Sequence, residues 1–156
     1  MRRHPLRKKE CSAIADEILA SCGAEVDERN FEIVEGKGLK MLKNGEIFAF
    51  YVDEKPVLTV RGALRFMPSK KRVTVDMGAV GFITNGADVM SPGITDADPG
   101  IKKGDIVYIL DEKNKKVISV GRALLDGEDI SRGDRSSRRG KAVKNLHYAG
   151  DHIWNF

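Results

Sequence analysis

Over residues 10–22 the apolar positions Cys11, Ile14, Ile18, Leu19 and Cys22 recur at the helical period. Gly23 stands where a left-handed C-cap belongs, so the pattern predicts one amphipathic helix. The period then shortens. Apolar runs at 31–34, 39–42, 46–52 and 56–60 are separated by Lys43-Asn44-Gly45 and Asp53-Glu54-Lys55, and Asn44-Gly45 between two such runs predicts a hairpin turn. A second helix is expected at 61–66, stopped by Pro68. Residues 1–70 thus read as a small α+β unit, bounded at Met67-Pro68-Ser69-Lys70, where a proline break meets a basic run.

Residues 71–156 read as a second unit, giving an α+β chain whose second part is a β-barrel. A strand at 72–75 leads into VDMGAVGFITNGADVMSPGI, residues 75–94. There Asp76 is placed as an N-cap, and Ala79, Val80 and Ile83 form the stripe expected to be buried. Gly78, Gly81 and Asn85 line another face, Asn85-Gly86 offers a left-handed exit, and 87–90 reads as a short strand before Ser91-Pro92-Gly93 turns the chain. Further strands are expected at 106–110 after Gly104-Asp105, at 117–120 before Gly121, and at 143–148. Short strands with glycine punctuation suit a small barrel, which leaves no open edge.

The glycine-faced helix carries the most information. Each glycine inside a helix costs roughly 1 kcal/mol relative to alanine, so two in one short helix need a compensating reason, and close approach of something else to this backbone is the natural one. The same glycines also suit tight packing of helix on strand.

Charge sharpens the choice. The chain is only +4 overall, but its positive residues are clustered. Arg2, Arg3, Arg7, Lys8 and Lys9 fall within residues 1–9, and Arg65, Lys70, Lys71 and Arg72 within 65–72, neither stretch holding an acid. Arg132, Arg135, Arg138, Arg139 and Lys141 share 132–141 with the single acid Asp134, and the remainder of the chain is net acidic. Segregation of this kind favours a polyanion held at particular surfaces. A solvated loop, or for residues 1–9 a disordered tail, would explain each run taken singly.

The pattern GADVMSPG with its preceding helix resembles the opening of a PUA domain, a small RNA-binding barrel. The usual form there is Asp-x-Gly-Ala, an apolar helix, Gly-Ala/Ser, a strand and Pro-Gly-Val/Ile. IKKGDIVYIL, residues 101–110, looks like the second PUA signature, and VISVGRALL, residues 117–125, like the strand that follows it. The tail GKAVKNLHYAGDHIW, through Asn145, His147, Tyr148, Asp151 and Trp154, is similar to the C-terminus of the translation reinitiation family typified by the malignant T-cell amplified sequence protein. The likeness covers 71–156 closely and 1–70 through the matching layout of an α+β unit before the barrel.

What the resemblance implies is RNA binding, of rRNA or tRNA, by a surface formed from the first helix, the strand after it and the chain end. It also implies attachment to the small ribosomal subunit and an N-terminal domain that docks a translation-factor partner. Gly78, Gly81 and Gly86 would let phosphate or a flipped nucleotide approach backbone N–H groups, while Asn85 and Ser91 meet sugar and base edges. Arg135, Arg138, Arg139 and Lys141 would reach phosphates from their loop, and Lys70, Lys71 and Arg72 from the interdomain side. The 132–141 loop is richer in arginine than the family pattern, and nothing in 1–70 marks the docking face. Two other readings fit: a targeting module for an RNA-modifying enzyme, and a protein-interaction adaptor using the N-terminal unit.

Other chemistry finds little footing. His4, His147 and His152 form no HExxH pattern, so no metal or cofactor is expected. His147 and His152 are assigned structural roles, with base stacking by His147-Tyr148 the sharper alternative. There is no GxSxG elbow, and Glu35-Gly36-Lys37-Gly38 lacks the ending of a phosphate loop, so no catalytic residue is assigned. Cys11 and Cys22 would lie about 16 Å apart along one helix at 1.5 Å per residue, too far to bridge. No apolar run reaches the roughly 18 residues that span a bilayer, and the expected location is cytoplasmic. Ile153 and Trp154 are expected to pack back on the barrel or between the domains.

Overall fold

Helix α1 (Lys8–Cys22) starts where the Glu10 carboxylate accepts the Arg7 N–H at 3.1 Å and stops at Gly23, whose φ of 73° is the left-handed cap the sequence predicts. Its buried face is Cys11, Ala15, Ile18 and Cys22. Leu19, expected on that stripe, is 43% exposed. At 100° per residue it lies well to one side of the line joining the four buried positions, and Ile14 lies to the other.

In this computed structural model, residues 1–27 and 30–156 are described, and the chain divides into a unit of Met1–Ser69 with Phe156 and a unit of Lys70–Asn155. The first carries an antiparallel sheet in chain order: β1 (Arg2–Pro5), β2 (Glu32–Gly36), β3 (Leu39–Asn44), β4 (Glu46–Val52) and β5 (Lys55–Leu58). Gly45, at φ 74°, makes the expected β3–β4 turn. Asp53 and Glu54, at φ 50° and 65°, make the tight β4–β5 turn. Helix α2 (Val60–Phe66) is capped by Thr59, whose hydroxyl accepts the Gly62 N–H at 3.1 Å and donates to the Ile47 carbonyl at 2.9 Å. Phe31, Phe48 and Phe66 meet in the core of this unit. The basic N-terminus differs from a free tail: residues 2–5 are an edge strand paired with β2, and edges favour such charge because it discourages further pairing.

The second unit contains β6 (Arg72–Val75), α3 (Met77–Ile83), β7 (Val89–Met90), a 3-10 turn at Ser91–Gly93, β8 (Ile94–Ala97), β9 (Ile106–Asp111), β10 (Val117–Ala123), α4 (Gly127–Ile130), a 3-10 turn at Arg135–Ser137 and β11 (Lys141–Tyr148). Its sheet has six strands in the order β7-β11-β10-β9-β6-β8, curled into a nearly closed barrel, with β6 and β9 the parallel pair. Val73, Val75, Ile94, Ile109 and Val143 are among the buried residues of its core. Strand β10 runs past the expected stop at Gly121. A side chain there would overlap Val143 and the Lys144 carbonyl, so the glycine marks a bulge where β10 crosses β11 instead of a strand end. Among the described residues no helix is long and apolar enough to cross a membrane.

Candidate nucleic-acid interface

Helix α3 is held at both ends by polar contacts that the sequence places only in part. Asp76 Oδ1 accepts the Ala79 N–H at 2.9 Å, the predicted N-cap, and the Asp76 N–H donates to the Gly93 carbonyl at 2.9 Å. At the other end Gly86, at φ 97°, turns the chain against the ring of Tyr148. Beyond it Asn145 ties three elements together. Its side-chain N–H groups donate to the Ile83 and Ala87 carbonyls, each at 3.0 Å, its side-chain oxygen accepts from Ser119 Oγ at 2.8 Å, and its backbone N–H donates to Asp88 Oδ1 at 2.8 Å.

Only Ile83 of the expected stripe is fully buried, Ala79 and Val80 being half-buried, because a seven-residue helix lying on a barrel rim buries little more than one position per turn. The glycine face is open. An added Cβ at Gly81 would meet nothing within 4 Å, and one at Gly78 only Asp76 Oδ1 at 3.4 Å. Phe82 shares this face and is 72% exposed. Between α3, β7 and the 91–93 turn lies an open groove of about 850 Å³, lined by Gly78, Ala79, Phe82, Gly86, Met90 and Gly93 among others. Met77 and Met90 are also exposed.

The groove is apolar along its walls, with an ion pair at each end. Asp76 pairs with Arg135, whose Nε also donates to the Pro92 carbonyl at 3.0 Å. Asp88 pairs with Lys141 at 3.1 Å. The Asn145 N–H, working against desolvation and aided by Lys141, holds the Asp88 carboxyl below its ordinary range. A ligand carrying phosphates could draw Arg135 and Lys141 onto itself while apolar or aromatic portions rest on Phe82 and Met90.

The residues singled out from the sequence therefore divide. Gly78, Gly86 and Lys141 line the groove, Arg135 closes one end, and Gly81 and Asn85 lie on the exposed side of α3, where Asn85 donates to the Gly81 carbonyl at 2.7 Å. Ser91 is buried, and its N–H donates to the Gly140 carbonyl. Arg138 turns inward and donates to the Ile130 carbonyl at 2.7 Å and the Ile94 carbonyl at 3.1 Å, pinning the basic loop to the barrel. Arg139 donates to the Ser136 carbonyl at 2.8 Å and the Arg138 carbonyl at 2.9 Å within the loop. Lys70, Lys71 and Arg72 lie at the opposite end of β6 from α3.

Phe82 was missed, although its position is legible. At 100° per residue it falls beside Gly78 and Asn85 and away from Ile83, an apolar residue on the bare face.

The chain end closes around His147, which is fully buried with Nδ1 2.9 Å from the Asp151 carboxylate. That carboxylate also accepts the N–H groups of Tyr148, Ile153 and Trp154 at 2.9–3.0 Å. Ile153 is buried as expected and Trp154 is half-buried. Burial pushes the His147 imidazole below its ordinary value of 6.5, against the upward pull of Asp151. Burial pushes the Asp151 carboxyl up, but the Trp154 N–H and His147 outweigh it and hold it below 3.8. Since the unfolded chain binds a proton at His147 that the folded one resists, stability is full above pH 6.5 and falls as pH drops through that value, by up to about 1.4 kcal/mol per pH unit. Asp151 adds a loss in the same direction below its own ordinary value of 3.8. Urea unfolding at pH 7.5 and 5.5 checks this: the difference should shrink in His147→Gln.

Among known proteins, the sequence profile described as the PUA domain matches residues 71–149. The chain belongs to the PUA-domain family. An uncharacterized protein of Methanocaldococcus jannaschii is 47% identical over 127 residues, covering 81% of this chain and 72% of that protein. Translation machinery-associated protein 20 of Saccharomyces cerevisiae is 30% identical, covering 72% of this chain and 64% of its own length. Malignant T-cell-amplified sequence 1 of Rattus norvegicus is 31% identical, covering 72% and 62%. This chain thus spans less than two thirds of those two relatives. A conserved PUA domain protein from Thermoplasma acidophilum superposes with a TM-score of 0.86 at 28% identity, over 99% of this chain and 98% of that one. In PUA terms, the groove lies between the first helix of the domain and the strand and turn after it.

Proposed function

We propose that this protein binds RNA through the α3 groove of its PUA domain and acts in translation in the cytoplasm, without a catalytic step of its own. The observation that carries this is the pairing of a side-chain-free helix face with an exposed aromatic ring. Gly78 and Gly81 admit a ribose-phosphate chain to the helix, and Phe82 offers a platform for an unstacked base. The apolar walls favour an unpaired nucleotide over a duplex, which would present mainly phosphates. Arg135 and Lys141, each neutralised in the free protein, supply the phosphate contacts, and Arg138 acts by holding their loop in place.

We take rRNA or tRNA as the ligand, the small ribosomal subunit as the setting and the first unit as the part that docks a translation factor, a reading in keeping with the yeast relative's name, which associates that relative with the translation machinery. Filter binding of the full chain to deacylated tRNA tests the groove. Stacking on an aromatic side chain is worth about 1–3 kcal/mol per base, so Phe82→Ala should weaken binding roughly 5- to 150-fold. Unchanged affinity would remove the groove from the account.

A further inference from the structure

A second basic surface lies outside the groove. β6 begins at Arg72 and delivers the chain to Asp76, so Arg72 stands about 13 Å from the α3 cap at 3.3 Å per residue, with Lys70 and Lys71 preceding it. Strand β9 runs parallel to β6, which brings the loop preceding β9 to the same end of the barrel as residues 70–72. Lys71 Nζ knits the two together, donating to the Gly100 carbonyl at 3.3 Å and pairing with Asp105 at 2.6 Å. Arg122 joins from β10 by donating to the Gly104 carbonyl at 3.1 Å.

The carboxylates at this end serve the backbone. Asp98 accepts the Arg72 N–H at 3.3 Å, Asp105 the Lys102 N–H at 2.8 Å and Asp126 the Lys103 N–H at 2.9 Å. The side chains of Lys70, Arg72, Lys102 and Lys103 are left exposed to solvent. The acids shape the loop, and the cations face outward.

We propose that this end of the barrel, centred on Lys102 and Lys103 with Lys70 and Arg72 beside them, is a second contact for the RNA phosphate backbone. The inference rests on the reading of this unit as an RNA-binding domain. RNA is favoured over an acidic protein because the exposed large apolar residues of this unit, Met77, Phe82 and Met90, all lie at the groove or on α3. The basic end thus has no apolar anchor of the kind that dominates protein interfaces, and a row of cations without one suits a phosphate backbone. An RNA long enough to pass from the groove across the barrel would be held at two points.

The test uses the full chain, deacylated tRNA and a salt series. Lys102→Gln/Lys103→Gln should lower the slope of log affinity against log salt by about 1 to 2. In the wild-type protein, tRNA should protect both lysines from acetylation by an amine-reactive ester, read by mass spectrometry. An unchanged slope with unprotected lysines overturns the inference. If Phe82→Ala weakens binding while the double lysine variant keeps the slope, this surface fails and the groove reading stands. If the lysine variant lowers the slope while Phe82→Ala is silent, this surface stands and the groove reading fails. Equal protection by polyglutamate of matched charge overturns the RNA assignment in favour of an acidic protein partner.

Discussion

Asn145→Ala is expected to destabilise the PUA domain by about 2 kcal/mol and to weaken groove binding with it. One side chain satisfies the carbonyls of Ile83 and Ala87 and the hydroxyl of Ser119, joining α3, the 84–88 turn and β10 to β11. Removing it takes their partner from the Ala87 carbonyl and the Ser119 hydroxyl, at roughly 1 kcal/mol each, while the Ile83 carbonyl keeps the Gly86 N–H at 3.0 Å. Asn145→Asp separates the terms. It keeps an acceptor for Ser119, deletes both donors, and sets a carboxylate against two carbonyls beside Asp88. Urea unfolding should show both variants losing stability, with the aspartate at least as poor as the alanine. A loss below about 1 kcal/mol in both would show that Asn145 does not hold the groove.

The second large effect has opposite signs in stability and binding. Gly81 has open space around it and a backbone that any residue adopts, so Gly81→Leu should stabilise α3 by up to about 1 kcal/mol through helix propensity alone. The same leucine covers the bare face that RNA would approach. Affinity for tRNA should fall at least tenfold, about 1.4 kcal/mol, while the unfolding midpoint rises or holds. Opposite movement of the two quantities cannot come from damage to the fold. If binding holds or follows stability upward, RNA does not lie against the bare face of α3.

Much of this was readable in the sequence, and the exceptions share causes. Helix α1, the turns at Gly45 and Asp53-Glu54, the Asp76 cap and the Gly86 exit are local, set by period and turn chemistry within a few residues. Strand β1 was not legible because its four residues are basic or proline and its partner β2 begins 30 residues after Arg2, so only the tertiary pairing makes it a strand. Strand β8 carries two polar residues in ITDA and takes its register from β6. In the basic loop the sequence offers equivalent arginines. Which guanidinium turns inward depends on where the Ile94 and Ile130 carbonyls lie, 44 and 8 residues away, and that choice falls on Arg138. The burial of Ser91 has the same origin, since its partner Gly140 belongs to the loop that Arg138 anchors. Asn145 stood out as part of a tail motif, but its role rests on contacts 58 and 62 residues distant. Phe82 alone was within reach of helical geometry.

Ultraviolet crosslinking of the full chain to tRNA, followed by peptide mapping, tests the groove most directly. The predicted result is crosslinked nucleotide on residues 77–93, with Phe82 the leading position. Crosslinks that leave 77–93 untouched would contradict it.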